Sequence, residues 1–110
     1  MEEFMKGDIV VLPFPFSDLT NSKKRPALVV ANTKGDDIIL SQITSVTRQD
    51  TYTIELKQEN FKNGSLNQKS LVRTNKLFTA DQSLILYKIG ILNYSKIKEI
   101  ENRLVNIFTN

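Results

Sequence analysis

The hydrophobic and polar positions of the chain form short runs separated by turn-forming residues. Apolar, β-branched runs of about four to eight residues, bounded by Gly, Pro, Asn or Asp, indicate β-strands. The pattern predicts strands at Asp8 to Leu12, Pro26 to Ala31, Asp37 to Thr44, Thr51 to Leu56, Ser70 to Thr74, Leu77 to Thr79 and Leu86 to Leu92. The run from Pro26 to Ala31 is almost continuously apolar, which is typical of a central strand buried on both faces.

The segments between these runs are polar. Residues 17–24 and the segment from Asn60 to Gln68, which contains Asn63-Gly64, are predicted to be loops. Asp81-Gln82-Ser83 is predicted to cap a single helical turn.

The clearest helix is C-terminal. Its apolar residues recur at steps of three and four along the chain: Ile97, Ile100, Leu104 and Ile107. Such a stripe indicates an amphipathic helix, and we expect it to pack against the core. Asn93 or Ser95 is suited to be the N-cap, because either side chain accepts a hydrogen bond from the first free amides.

Five to seven short strands and one terminal helix predict a mainly β fold with α: a small, strongly bent barrel with a C-terminal helix. A length of 110 residues fits one domain, residues 1–110. No apolar run approaches the roughly 20 residues that span a bilayer. The start Met1-Glu2-Glu3 is acidic, unlike a signal peptide. We therefore expect a cytoplasmic domain without membrane contact.

The chain has neither cysteine nor histidine. This composition excludes disulfides, thiolate chemistry, zinc knuckles, the Ser-His-Asp triad and RNA cleavage by paired histidines. We expect no metal and no cofactor. Catalysis, if present, must use Arg, Lys, Asp, Glu, Ser, Thr or Tyr.

The net charge of +3 and the pI of about 9.2 favour an anionic partner only mildly. The distribution of charge is more informative. Basic residues cluster in two places, Lys23, Lys24 and Arg25, and then Lys69, Arg73 and Lys76. A solvated charged edge explains each cluster equally well.

An arginine and a proline open the central strand, in Arg25-Pro26-Ala27-Leu28-Val29-Val30. Pro26 cannot donate a ladder hydrogen bond and biases Arg25 towards extended geometry. We predict that Arg25 lies at a loop-to-strand junction with its guanidinium in solvent, where it is suited to bind phosphate. A surface arginine that closes a hairpin fits the same pattern.

Several segments in this order and spacing resemble one protein family. They are Gly7-Asp8-Ile9-Val10-Val11 with the proline-containing segment after it, Arg25-Pro26-Ala27-Leu28-Val29, Gln42-Ile43-Thr44-Ser45, Ser70-Leu71-Val72-Arg73 and Lys76-Leu77-Phe78-Thr79. Together they resemble the PemK/MazF family of toxins from bacterial type II toxin–antitoxin modules. The resemblance extends from about Gly7 to the final helix.

The resemblance implies an SH3-like barrel, a homodimer and metal-independent, sequence-selective cleavage of single-stranded RNA, including mRNA, by an endoribonuclease. It also implies a cognate antitoxin as partner. The toxin is then expected to contact DNA only indirectly, through that antitoxin. Arg25 and Thr44 match the catalytic arginine and threonine of the family. We predict that Lys23, Lys24, Ser45, Arg73 and Asn75 bind RNA.

The sequence departs from the family pattern in two places. Many relatives carry a glycine-rich loop before the arginine, whereas Asp18 to Lys24 contains no glycine. One branch of the family has Arg-x-Asp where this chain has Arg73-Thr74-Asn75, and an asparagine cannot act as the base proposed for that aspartate. The residue that acts as general base is therefore left open.

Two alternatives remain. The same barrel occurs in toxins that inhibit DNA gyrase by binding it without catalysis, and a degenerate copy could bind only RNA or antitoxin. A gyrase-binding toxin has no need of the basic cluster or of Arg25-Pro26, so these residues favour the nuclease. Phe14, Phe16 and Phe61 are candidates to stack on bases, although aromatic residues in a small barrel more often pack in the core.

Overall fold

A computed structural model of the chain describes residues 3–14, 23–45 and 50–110, and within these ranges seven antiparallel strands form one curled sheet. The strands are β1 (Asp8–Pro13), β2 (Lys24–Asn32), β3 (Asp37–Thr44), β4 (Thr53–Leu56), β5 (Phe61–Gly64), β6 (Ser70–Asp81) and β7 (Tyr87–Leu92), and helix α1 (Tyr94–Thr109) follows them. Their order across the sheet is β4-β6-β3-β2-β1-β7-β5. This half-barrel with one C-terminal helix confirms the predicted fold class.

Each face of the sheet has its own hydrophobic core. The helix face packs against α1, and its buried residues include Ile9, Leu28, Ile43, Val72 and Ile100. The opposite face buries Val10, Leu12, Ala27, Val29 and Leu40 together with Phe14. Strand β2 contributes to both cores because alternate side chains point to opposite faces. The prediction of a central strand buried on both faces is therefore confirmed.

Helix α1 lies on the sheet through the predicted apolar stripe. Ile100 is 2% exposed, and Ile97 and Leu104 pack against the same core. Asn93 is the N-cap: its side chain accepts a hydrogen bond from the Lys96 amide at 2.9 Å. The sequence left Asn93 and Ser95 as alternatives, and the structure selects Asn93.

Ion pairs also tie α1 to the start of the chain. The Glu101 carboxylate accepts hydrogen bonds from Lys6, which precedes β1, and from Lys98 one turn away. These hydrogen bonds, that of Lys6 first, lower the pKa of Glu101. The contact is exposed, so the apolar stripe contributes most of the helix packing.

The single helical turn predicted at Asp81-Gln82-Ser83 is present as a 3₁₀ turn at Gln82–Leu84. Asp81 caps it by accepting a hydrogen bond from the Ser83 amide at 2.8 Å. This bond, with a second contribution from the Ser83 side chain, lowers the pKa of Asp81.

One strand replaces two of the predicted strands. The sequence pattern separates Ser70 to Thr74 from Leu77 to Thr79, but β6 runs without a break through Asp81, so the prediction of two strands is wrong. Polar residues interrupt the apolar pattern because the strand contains a β-bulge there. Ser41 and Gln42 are consecutive in β3, yet they lie opposite Leu77 and Arg73, which leaves residues 74–76 as the bulge.

A second prediction is wrong at Asn60 to Gln68. This segment is not a loop throughout: a 3₁₀ turn at Gln58–Asn60 leads into strand β5, which pairs with β7 at the edge of the sheet. Phe61 packs against the helix-face core, whereas the rest of β5 is exposed. An edge strand with a single apolar residue has no alternating pattern, so the sequence did not reveal it.

Smaller differences concern the strand ends. β4 begins at Thr53 and β7 at Tyr87, close to the predicted starts. Residues 17–22 of the predicted polar loop lie outside the described residues. Among the described residues, no helix combines the length and the apolar character needed to cross a membrane.

Gly64 provides a test of the β5 edge. It has φ +81°, and an added Cβ would lie 2.2 Å from the carbonyl oxygen of Ile89 in β7. We expect Gly64→Ala to lower the free energy of unfolding by about 2 kcal/mol or more, because strain and a backbone clash add. Gly35→Ala is the matched control, since its Cβ meets nothing within 4 Å. Chemical denaturation measures both, and equal stabilities of the two variants would contradict this account.

Candidate functional site

A depression of about 430 Å³ lies where β2, β3 and β6 end together. Its lining comes from the first residues of β2, the last of β3 and the segment that enters β6: Lys23, Lys24, Arg25, Pro26, Ile43, Thr44, Ser45, Gln68 and Ser70. Five predicted site residues are thus brought together from two separate parts of the sequence: Lys23, Lys24, Arg25, Thr44 and Ser45. We call this feature the strand-end depression.

The register of β2 and β3 makes Arg25 and Thr44 neighbours. Ala27 lies opposite Gln42 in this antiparallel pair. Arg25 and Thr44 are each two residues nearer the strand ends, so they lie on the same face of adjacent strands. Pro26 and Ile43, between these positions, point to the helix face, and the depression therefore spans both sides of the strand ends.

Arg25 belongs to strand β2 and not to the loop before it. Leu12 lies opposite Arg25 in β1, and Pro13 lies opposite Lys24. The strand thus starts two residues before the predicted start at Pro26. Both basic side chains are exposed on a backbone that pairing with β1 holds in place. This geometry suits a guanidinium that must be positioned and still reach a ligand.

Among the described residues, the charged side chains that line the depression are all cationic. Lys23, Lys24 and Arg25 are exposed, and Thr44 is half-buried. Ser70 is buried, and its hydroxyl donates to the Gln68 carbonyl oxygen at 3.0 Å. Cations around a concave surface attract an anion, and a guanidinium can bind two oxygens of a phosphate at once.

Arg73 lies in β6, two residues along the strand from Leu71, the residue that lies opposite Thr44. It pairs with Gln42 in β3 and with Thr53 in β4, so it occupies an inner strand and not an edge. Its Nε is buried and has no hydrogen-bond partner among the described residues. Arg73 does not line the strand-end depression, but it shares the face that carries Arg25 and Thr44.

Asn75 projects from the β6 bulge and is exposed. The residue before it, Thr74, is fully buried, and its hydroxyl donates to the Tyr52 carbonyl oxygen at 2.6 Å. This bond fixes the bulge, and Asn75 does not line the depression. The structure therefore does not bring Asn75 together with Arg25 and Thr44.

The described aromatic candidates for base stacking belong to the core. Phe14 is 5% exposed and makes an edge-to-face contact with Phe78, with ring centroids 5.1 Å apart. Phe61 packs against the helix-face core. Phe16 lies outside the described residues. For Phe14 and Phe61, the alternative of core packing is the one the structure supports.

Sequence reasoning missed Gln68 and Ser70. Gln68 fell in a predicted loop and Ser70 at a predicted strand start, and neither residue carries a charge that would mark it. They reach the depression because β6 pairs with β3, with Leu71 opposite Thr44. That pairing joins residues far apart in the sequence, so local patterns contain no signal for it.

A larger depression of about 620 Å³ lies between residues 50–53 and the end of α1, but its charged residues are the opposite pair Asp50 and Arg103. Among the described residues, no group of three or more His, Cys, Asp or Glu side chains is placed to hold a metal ion.

Comparisons with known proteins agree with this architecture. The sequence matches the family described as PemK-like, MazF-like toxin of type II toxin–antitoxin system over residues 5–108. A search of curated protein sequences gave no match.

Solved structures share the fold at low sequence identity. MazF from Deinococcus radiodurans (Form-I) has a TM-score of 0.78 at 16% identity, with 100% of both chains covered. The Mycobacterium tuberculosis toxin MazF-mt6 has a TM-score of 0.73 at 21% identity, covering 93% of this chain and 96% of that one. An endoribonuclease in complex with its cognate antitoxin, from a mycobacterial species, has a TM-score of 0.78 at 12% identity, covering 97% and 96%.

The family match spans nearly the whole chain, and the fold agrees with it. The chain therefore belongs to the PemK-like, MazF-like toxin family of type II toxin–antitoxin systems.

Proposed function

We propose that this toxin is a metal-independent endoribonuclease that cleaves single-stranded RNA. The observation that carries the proposal is the pairing of β2 with β3, which sets Arg25 beside Thr44 at the mouth of a cationic depression. A toxin that acts only by binding a protein such as gyrase gains nothing from this arrangement. One similar structure is itself described as an endoribonuclease, which agrees with the proposal.

The chemistry of RNA cleavage explains why these two residue types serve together. The ribose 2′-OH attacks the adjacent phosphorus, and negative charge accumulates on the non-bridging oxygens. The guanidinium of Arg25 can hold two of these oxygens, and the Thr44 hydroxyl supplies a further neutral donor. Both groups are attached to paired strands, so they need little reorganisation when charge develops.

The surrounding cations bind the rest of the RNA. Lys23 and Lys24 extend the positive surface on the Arg25 side of the depression. Arg73 is half-buried and lies one row further along the same face, where its guanidinium can meet a second phosphate. We assign Ser45 and Asn75 to weaker polar contacts with RNA, since both are exposed.

We further propose a homodimer that binds a cognate antitoxin. One similar toxin has been solved in complex with its cognate antitoxin. A two-fold pair of chains would join two strand-end depressions into one longer cationic channel. An acidic, disordered antitoxin segment that folds on binding suits the same channel.

Arg25 is the first residue to test. We expect Arg25→Ala to lower the cleavage rate by about a hundredfold or more, because it removes the main stabiliser of the transition-state charge. Arg25→Lys should also lose most activity, since an ammonium cannot form the two-pronged contact. The rates are measured on a long single-stranded RNA with mapped product ends.

Circular dichroism should show an unchanged fold in both variants, because Arg25 is exposed. Lys62→Ala, which removes an exposed cation from edge strand β5, is the matched control and should cleave normally. Near wild-type cleavage by either Arg25 variant would show that Arg25 has no catalytic role.

Chelation tests the metal independence. The sequence has no histidine or cysteine, and the proposed reaction uses only Arg and Thr donors at the phosphate. Cleavage in excess EDTA should therefore proceed at the rate seen without it. Activity that disappears in EDTA and returns with magnesium would refute the mechanism.

Light scattering and competition binding test the shared channel. The toxin should be a dimer at micromolar concentration, and antitoxin should displace labelled RNA from it. Both affinities should decrease between low and high salt, because each partner replaces counterions on the same cations. A stable monomer, or a ternary complex in which antitoxin and RNA bind without mutual weakening, would contradict the dimer or the shared channel.

A further inference from the structure

A row of side chains crosses four strands at the candidate site. Thr44 in β3 lies opposite Leu71 in β6, and Leu71 in turn lies opposite Glu55 in β4. Arg25 in β2 adjoins Thr44 on its other side. Residues directly opposite each other share a face, so Glu55 faces the same side as Arg25 and Thr44. Two strand spacings of about 4.8 Å separate Thr44 from Glu55 by about 10 Å.

Glu55 is accessible and loosely held. Its side chain is 42% exposed, and its ion pair with Lys69 has an N–O distance of 3.8 Å. Lys69 lies between Gln68 and Ser70, which both line the strand-end depression. Exposed ion pairs contribute little stability, so a ribose hydroxyl can replace Lys69 as the partner of the carboxylate.

Other described carboxylates are held elsewhere. Asp8 is buried beside Lys88 and accepts the Met5 amide. Asp50 accepts the amides of residues 52 and 53. Asp37 lies at the far end of β3 from Thr44. Glu55 is thus the carboxylate that the described sheet places in the row of Arg25 and Thr44.

We propose that Glu55 is the general base that removes the proton from the attacking 2′-OH. This inference rests on the proposed function, since only RNA cleavage by the 2′-OH needs such a base. Near-attack oxygen–phosphorus distances and hydrogen bonds are each about 3 Å. A ribose and its phosphate therefore fit between the Glu55 carboxylate and the Arg25–Thr44 pair. The side chain of Asn75 has no basic oxygen, and it does not line the depression.

The proposed step balances without a further cofactor. Glu55 takes the 2′-OH proton while the O2′–P bond forms and the P–O5′ bond breaks. Arg25 and Thr44 hold the charged phosphoryl oxygens, and water protonates the departing O5′. The hydroxide formed then takes the proton from Glu55, and the products carry a 2′,3′-cyclic phosphate and a 5′-OH.

Cationic groups lie on several sides of Glu55. Lys69, which precedes β6, forms the ion pair with Glu55, and Arg73 lies in β6 opposite Thr53. Lys57 follows directly after β4, and Arg25 lies across the row. Without these cations, the negative charge of the carboxylate would repel the phosphates of the RNA backbone. Its place in this cationic row is therefore consistent with a group that accepts a proton during the reaction.

The test compares Glu55→Gln with wild type under single-turnover conditions across pH. We expect the cleavage rate of Glu55→Gln to decrease at least about a hundredfold, which is the usual range for loss of a general base. The wild-type rate should decrease towards acid pH, and the residual activity of Glu55→Gln should lack this acidic limb. RNA binding, measured separately with uncleavable 2′-deoxy substrate, should change by less than about threefold.

Glu59→Gln is the matched control, because Glu59 is an exposed carboxylate in the 3₁₀ turn at Gln58–Asn60. It should keep both the rate and the pH profile of wild type. Glu55→Asp, which retains a shorter carboxylate, should keep the acidic limb at a reduced rate. This second variant also separates loss of the base from loss of the fold.

Three results would overturn the inference while leaving the nuclease intact. They are wild-type cleavage by Glu55→Gln, an unchanged pH profile, and altered cleavage sites at an unchanged rate, which would assign Glu55 to base recognition. Absence of cleavage by the wild-type toxin would instead refute the proposed function, and this inference with it.

Discussion

The hydrogen-bond register of β3 with its two neighbours is the constraint on which the candidate site depends. Ala27 in β2, Gln42 in β3 and Arg73 in β6 lie in one row. Because side chains alternate along each strand, a shift of one residue would move Thr44 away from the face of Arg25. The buried residues of both faces oppose such a shift, since it would expose apolar side chains to water. Core packing thus fixes the geometry of polar groups that contribute little to stability.

The β6 bulge allows β6 to stay paired with β3 on both sides of an irregular segment. Residues 74–76 are accommodated while both halves of β6 remain paired with β3. The buried Thr74 hydroxyl, bonded to Tyr52, anchors the irregular segment to the strand β4 side. A bulge of this kind allows the first half of the strand to carry site residues and the second half to carry core residues such as Phe78.

Charge is distributed unevenly along the same strands. At one end of β3, Asp37 lies opposite Asp81 and beside Asp36, so this end is acidic. At the other end, Thr44 lies among Lys23, Lys24 and Arg25. A polyanion is therefore attracted to the end of the sheet that holds the strand-end depression and repelled from the opposite end.

Local patterns in the sequence determined the fold class, most strand positions, the C-terminal helix and the position of Arg25 near the start of a strand. Apolar alternation and helical periodicity act over a few residues, so they can be read without the fold. The edge strand β5 and the continuity of β6 could not be predicted in this way. Hydrogen bonds to neighbouring strands maintain both features, and these bonds leave no pattern of apolar and polar residues in the sequence.

The composition of the site was decided by tertiary structure. Sequence and family resemblance singled out Arg25 and Thr44, but only the register of the strands sets Gln68 and Ser70 beside them and Glu55 in the same row. Asn75 was grouped with them by its motif, yet the bulge directs it elsewhere. Residues distant along the chain become neighbours through long-range hydrogen bonds, and those bonds form only where two hydrophobic faces are buried at the same time.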